Sequence, residues 1–446
     1  MDITSNFQLY HWIFSNASTA RAILASSDTP ALSLNDIIAL SSDPTATTAA
    51  FNFVSQRLGL GSAQGAEPLR SALAATYTAQ KSKIDASNVI IANGTSGANH
   101  IIYRSLLQSN DHVIVQYPTY GPLIEEPLHI GCDLSFWRLR AERNWELDLD
   151  ELKRLIKPGV TRMLILNNPN NPTGTHLPTA FQREIVELAK QYDLIVHCDE
   201  IFRPLFHNAD TAYLTSISNG ANGTNASDTV SDTASAKDIP TSLIEHADTI
   251  GYDKLIVTSS LSKCYGLSGV RIGWILTRDK EILAKMMHYR LFSMQSASVI
   301  DELIATEVLG PRCRPAILQK HLSIARTNLD LIQRFVDEHR EQCEWVRPTA
   351  ASTAFVKFKD AATGHPVDDV QFGKELMERK GLLISPASMC FSFDEGMGKK
   401  GEEWREEFKG RVRFHFTTRT EIVQLGLKLL GEFLDEEKIK TGVQKL

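Results

Sequence analysis

The sequence predicts an α/β protein: a mostly parallel sheet with helices on both faces, followed by a smaller α+β domain. Three observations lead there. Short apolar runs alternate with helix-period stretches from about residue 65 to 290, the rhythm of strands joined by helical crossovers. At 446 residues the chain exceeds what one hydrophobic core usually organises. After residue 310 that rhythm gives way to one long helical pattern and widely spaced strands.

Taken in order, helical periodicity covers 70–80, 97–107, 180–191 and 280–289, and apolar strand runs cover 89–92, 113–116, 163–166, 194–198, 255–258 and 272–276. Residues 208–238 break the pattern. They are rich in Ser, Thr, Asn, Ala and Asp and poor in large apolar side chains, so they read as a solvated insertion loop. A helix over 315–340 and strands over 354–358 and 412–416 form the second domain. The expected division is a large domain over 51–305 and a small domain made of 1–50 and 306–446.

Composition narrows the function classes. Hydrophobic residues at 43% and charged residues at 22% describe a globular chain. The net charge of -6 supplies no basic footprint for nucleic acid. No apolar run reaches the length of a membrane span, and Met1-Asp2-Ile3-Thr4 lacks the basic and apolar regions of a secretory signal. Cys132, Cys198, Cys264, Cys313, Cys343 and Cys390 show no CxxC spacing, so neither a disulfide framework nor a metal site is expected. The cytoplasm is the expected location, and the sequons beginning at Asn222 and Asn225 are discounted accordingly.

Four motifs carry chemistry. Ser260-Leu261-Ser262-Lys263-Cys264-Tyr265-Gly266 sets a lysine among hydroxyls in a glycine-containing turn, with Arg271 eight residues on; an amine that holds an aldehyde as a Schiff base beside a phosphate needs such neighbours. Gly94-Thr95-Ser96-Gly97 is a small-residue turn opening a helix, where free backbone N–H groups favour an anion. Asp199 ends an apolar run, a costly place for a carboxylate without a partner. Asn168-Pro169-Asn170-Asn171-Pro172-Thr173-Gly174 is a turn stiffened by two prolines. Each motif follows a strand, where ligands of parallel sheets gather.

In this order the motifs resemble those of the class I/II aminotransferases, enzymes of the type I fold that use pyridoxal 5'-phosphate. Gly65-Ala66-Glu67-Pro68-Leu69-Arg70 adds a weaker match, and the similarity runs over roughly residues 50 to 420. The resemblance implies a mostly parallel seven-stranded sheet in the large domain, a homodimer, and an amino acid with a 2-oxo acid as substrates. It makes Lys263 the Schiff-base residue and the base that moves the Cα proton on the way to a quinonoid intermediate. Asp199 would pair with the pyridinium nitrogen, Asn171 would donate to the phenolate oxygen, and Tyr120 would stack on the ring. Gly94, Thr95, Ser96, Ser260 and Arg271 would meet the phosphate. Arg413 would take the substrate α-carboxylate, a bidentate role suited to a guanidinium, although Arg411 lies two residues away on the same face. Substrate specificity is expected from small-domain loops and from residues 34–38.

Three positions depart from an ordinary transaminase. Phe202 replaces a tyrosine that donates to the phenolate oxygen, Leu60 replaces a partner-subunit tyrosine, and Pro348-Thr349-Ala350-Ala351-Ser352-Thr353-Ala354-Phe355 replaces a short glycine pair. Phe202 and the Thr353-Ala354-Phe355 ending resemble the capreomycidine synthase branch, which eliminates a β-substituent and cyclises. Transamination is the leading expectation and β-elimination with cyclisation the alternative. A regulator on the same fold without catalysis is a remote third reading.

Overall fold

The computed structural model describes residues 8–77, 84–208, 240–391 and 406–440. Apart from Asn208 the polar insertion lies outside the described residues, as do both sequons and the first four residues. In chain order the strands are β1 (Ala22–Ile23), β2 (Val89–Asn93), β3 (His112–Tyr117), β4 (Asp133–Arg138), β5 (Thr161–Asn167), β6 (Ile195–Asp199), β7 (Leu255–Ser260), β8 (Ile272–Thr277), β9 (Cys343–Trp345), β10 (Thr353–Phe358), β11 (Leu382–Leu383), β12 (Ser385–Pro386) and β13 (Arg411–His415).

Seven of them form the large sheet, in the order β2-β8-β7-β6-β5-β3-β4. Pairings from β4 through to β7 are parallel, while β8 runs antiparallel to β2 and β7. Alternate side chains of the central strands feed two cores. Leu164, Leu166, Val196, Cys198 and Val257 face one, and Met163, Ile165, Ile195 and Ile256 the other, as the two-residue period of a strand requires. Each such Val, Ile or Leu contributes about 1.5–3 kcal/mol of burial free energy before entropy is charged against it, which fixes register strongly.

The sequence did not announce β4. It is an edge strand, with Asp133 exposed and Leu134, Ser135 and Arg138 half-buried, so it offers neither an apolar run nor clean alternation. The helix expected from 97 begins at Gly94 and ends at Leu106. The one expected over 70–80 spans Glu67–Ala75, shifted toward Pro68 at its first turn.

The smaller body has a four-stranded antiparallel sheet, β12-β13-β10-β9, and the parallel pair β1–β11. The helix Arg314–Glu338 serves both bodies: Ile317, Leu318 and Leu322 enter a large-domain core, whereas Ala325, Leu329, Ile332 and Phe335 enter the small one. Residues 34–50 meet the large-domain side, through Ile37 in its core and a 2.6 Å hydrogen bond from Thr47 Oγ1 to Glu307 Oε1. All six cysteines are free and buried. Among the described residues no helix is long and apolar enough to cross a membrane.

The sheet puts the chemistry at one edge. Asn167 and Asp199 are paired neighbours at the carboxyl ends of β5 and β6, Ser260 ends β7, and Asn93 ends β2.

Candidate active site

The helix Gly94–Leu106 starts directly at the end of β2, so its unbonded N–H groups open onto that edge. Gly94 has φ +67, and a Cβ there would stand 2.5 Å from Arg271 Nη2. Gly273 is held small in turn, since its Cβ would meet Gly94 backbone at 2.4 Å. Arg271, itself at φ 55, accepts on its carbonyl from Gly94 N–H at 3.0 Å. Its guanidinium donates to the carbonyl oxygens of Ser268 (3.0 Å) and Asn93 (3.2 Å), neutral groups, and it has no carboxylate partner among the described residues. Thr95 Oγ1 is buried with no hydrogen-bond partner among the described residues, Ser96 is exposed on the same first turn, and Ser260 is buried. Helix-terminal amides, an orphaned hydroxyl and a free cationic charge together fit a phosphate group.

Lys263 follows that strand end by three residues. Its Nζ donates to Asp28 Oδ1 at 2.6 Å and to Ser27 Oγ at 2.9 Å, and its carbonyl accepts from Thr29 Oγ1 at 2.5 Å. Burial lowers its pKa, with Asp28 opposing the shift. Burial also works against ionisation of Asp28, yet Lys263 holds that carboxyl below its ordinary value. The segment bearing Asp28 is fixed on the small-body side: Leu24 N–H donates to Leu383 O at 2.8 Å, His415 N–H to Leu24 O at 2.8 Å, and Ser352 Oγ to Ser27 O at 3.2 Å.

Asp199 is 2% exposed. Burial pushes its pKa up to about 7, against hydrogen bonds from Ile201 N–H and the Asn99 side chain. A buried carboxylate so placed fits a pyridinium partner, which would return the free energy lost on desolvation.

Arg413 is buried on β13. It donates through Nη1 to Asn171 Oδ1 (3.2 Å) and through Nη2 to Ala25 O and to Ser385 Oγ (3.3 Å), while its Nε has no hydrogen-bond partner among the described residues. The Arg413 bond turns the Asn171 carbonyl toward the guanidinium and leaves the amide N–H groups facing elsewhere. Asn168 and Asn170 spend their side chains on the turn, accepting from Leu177 N–H and from Thr173. Arg411 takes another course and stacks over Trp145 at 4.8 Å. Tyr120 is half-buried, its hydroxyl 3.0 Å from that of Tyr10. Phe202 is 2% exposed and brings no donor.

The motif residues therefore converge at the sheet edge. Three neighbours carried no sequence signal strong enough to single them out: Asp28, Asn99 and Tyr10. Nothing in the spacing around Asp28 ties it to residue 263, since the approach is made by long-range packing. The amino-terminal contribution at the lysine comes from Ser26–Thr29 and not from 34–38, where Leu34–Leu40 forms a surface helix capped by Ser33. A cavity of about 510 Å³ between Trp145, Phe181 and Arg347 lies beside this cluster and touches only Asn168 of the motif residues.

Comparison with known proteins places the chain in a family. The family model "Aminotransferase class I and II" matches residues 32–420. Capreomycidine synthase of Streptomyces vinaceus is 24% identical over 326 residues, 73% of this chain and 72% of that protein. A PLP-dependent aminotransferase from Streptococcus suis 89-1591 superposes with a TM-score of 0.78 at 27% identity, over 98% of this chain and 99% of that one. The PLP-dependent cyclase OrfR shares the fold, with a TM-score of 0.74 at 23% identity over 96% of both chains. The chain belongs to the class I and II aminotransferase family, as an enzyme whose cofactor is pyridoxal 5'-phosphate.

Proposed function

We propose that this enzyme acts at the α-carbon of an amino acid, with transamination to a 2-oxo acid as its leading reaction. When bound, the cofactor supplies an aldehyde that condenses with an amine and a ring that accepts an electron pair. Lys263 would hold that aldehyde through its Nζ and would move the proton at the substrate Cα; burial shifts its balance toward the neutral amine that both tasks need. Asp199 receives the ring nitrogen, Asn171 the phenolate oxygen, and Tyr120 one ring face. Gly94, Thr95, Ser96, Ser260 and Arg271 hold the phosphate. Arg413 binds the substrate α-carboxylate, for which its partnerless Nε is available.

The observation that carries this reading is the half-buried Lys263 amine, held at 2.6 Å by Asp28 and 2.9 Å by Ser27 and acted on by the charges of Asp199 and Arg413. Borohydride reduction of the loaded protein followed by peptide mapping tests it. A phosphopyridoxyl adduct on Lys263, absent from a Lys263→Ala variant, is expected; an adduct elsewhere sinks the assignment.

A second reading, β-elimination with cyclisation, is favoured by Phe202 and by the similarity to capreomycidine synthase and OrfR. One equivalent of amino acid separates the two. Transamination leaves the cofactor in its amine form, restored by a 2-oxo acid, whereas elimination returns the aldehyde form and releases the β-substituent.

The assembly we infer is a homodimer in the cytoplasm, serving amino acid metabolism. Val54, Leu58 and Leu60 are 96%, 72% and 80% exposed. Arg290 donates to Ala63 O and so brings Leu291 and Phe292, also exposed, beside that segment. An apolar surface of this kind suits a second copy. Light scattering at a dimer mass is the expected result.

A further inference from the structure

A line of polar side chains crosses the otherwise apolar core behind Asp199, and the mechanism above does not use it. Asn99 and Tyr103 lie four residues apart along the helix Gly94–Leu106 and are both buried, so they share one face of that helix. His197 and Asp199 are two apart on β6 and therefore share a sheet face. Thr258 lies on the neighbouring strand, in register with Asp199.

The hydrogen bonds between them have only one consistent direction. Thr258 Oγ1 donates to Asn99 Oδ1 at 3.1 Å. Having spent its single proton there, Thr258 must accept from His197 Nε2, 3.0 Å away. Burial lowers the His197 pKa to about 3, so the ring is neutral and its Nδ1 is the acceptor for the Tyr103 hydroxyl at 3.0 Å. At the other end the Asn99 amide, its carbonyl occupied by Thr258, turns its N–H toward Asp199. Reversing the amide would set a carbonyl against a carboxylate. The remaining charges near Asp199 are Glu200 and Lys263.

We propose that Asn99, Thr258, His197 and Tyr103 form a one-way hydrogen-bond relay that positions Asp199 and weakens its carboxylate as a base, so that the proton it shares stays on the cofactor ring nitrogen. This rests on the pairing of Asp199 with that nitrogen proposed above. Every member is neutral and buried, and each bond polarises the next in a low-dielectric core. An apolar filling would pack as well and avoid the desolvation of four polar groups. No proton travels along the relay; its dipoles point at one oxygen pair.

The experiment uses the loaded enzyme with 15N-labelled pyridoxal 5'-phosphate and reads the ring-nitrogen chemical shift, alongside thermal melting. In the wild type the nitrogen is expected to be protonated, and neutral in Asp199→Asn. Thr258→Val, which keeps the side-chain volume, is expected to move the protonated-to-neutral ratio about tenfold toward neutral, one pKa unit of carboxylate basicity, and Thr258→Ser to restore it. Asn99→Leu should shift the ratio at least as far, and Tyr103→Phe less. A wild-type shift in folded Thr258→Val and Asn99→Leu proteins overturns the relay. A neutral nitrogen in the wild type, or one indifferent to Asp199→Asn, overturns the pairing itself, so the two failures are told apart.

Discussion

Asp28 Oδ1 stands 2.6 Å from Nζ of Lys263 although the two residues are 235 apart in the chain. Burial and Asp28 pull the lysine in opposite directions, burial toward the neutral amine and Asp28 toward the ammonium. In Asp28→Asn the largest pull toward the ammonium is gone, while burial and Arg413 still favour the neutral amine and Asp199 opposes them. The rate at which the cofactor-free protein captures pyridoxal 5'-phosphate follows the neutral amine, so its pH midpoint is expected to move to lower pH by up to about one unit. A midpoint that rises would contradict the pairing.

The buried Asp199 makes stability depend on pH in a defined sense. Its pKa is raised to about 7 in the folded chain, so between roughly pH 4 and 7 the folded state binds more protons than the unfolded one. Its contribution to cofactor-free stability is therefore complete below that window and is lost as pH rises through it. Asp199→Asn is expected to melt higher than the wild type at pH 8 and to match it near pH 4, while binding cofactor more weakly. Calorimetry of the two proteins at both pH values checks the sign.

At the phosphate turn a single methyl group is enough to disturb the cradle. Gly94→Ala adds a Cβ 2.5 Å from the Arg271 guanidinium at a backbone angle that disfavours L side chains. Cofactor affinity is expected to fall at least tenfold, with a modest drop in melting temperature because Arg271 can swing aside. Gly273→Ala meets rigid Gly94 backbone instead and is expected to cost several kcal/mol of stability. Fluorescence titration and denaturant melts separate the two effects.

Arg413→Lys keeps the charge and loses the fork. Its bonds to Asn171 and to Ser385 cannot all be reproduced by one ammonium. A fall in kcat/KM for amino acids of about a hundredfold is expected, carried mainly by KM, with Arg411→Lys much milder. Steady-state kinetics on a common amino acid would expose the reverse order.

Phe202→Tyr adds a hydroxyl at a buried position three residues after Asp199. A donor to a charged oxygen lowers the pKa of the group it serves, so the pH at which the bound cofactor changes colour is expected to fall by about one unit. An unmoved spectrophotometric titration would mean that the new hydroxyl does not reach the cofactor.

Much of this was legible before any coordinates. The apolar runs 163–166, 194–198 and 255–258, each followed by motif residues, announced both the sheet and the edge where chemistry collects, because parallel strands buried on both faces are mostly apolar. β4 stayed hidden, since an edge strand with Asp133 and Arg138 at its ends satisfies no periodic template. Thr95, Asn99 and Tyr103 did carry a signal, a four-residue recurrence of polar side chains on a helix. It is interpretable only once the buried side of that helix is known. Asp28 had none at all: its approach to Lys263 depends on how β1 docks against β11, a long-range event with no local spacing.

That docking has a mechanical consequence. Ala22–Ile23 is stitched to Leu382–Leu383, Ala25 O rests on the Arg413 guanidinium, and Thr29 is tied to the lysine backbone. Eight consecutive residues thus work as a short strut between the two bodies, with Arg413 at its middle and Lys263 at its tip. Any swing of one body against the other must load this strut, so a displacement at Arg413 and a displacement at Lys263 are mechanically joined.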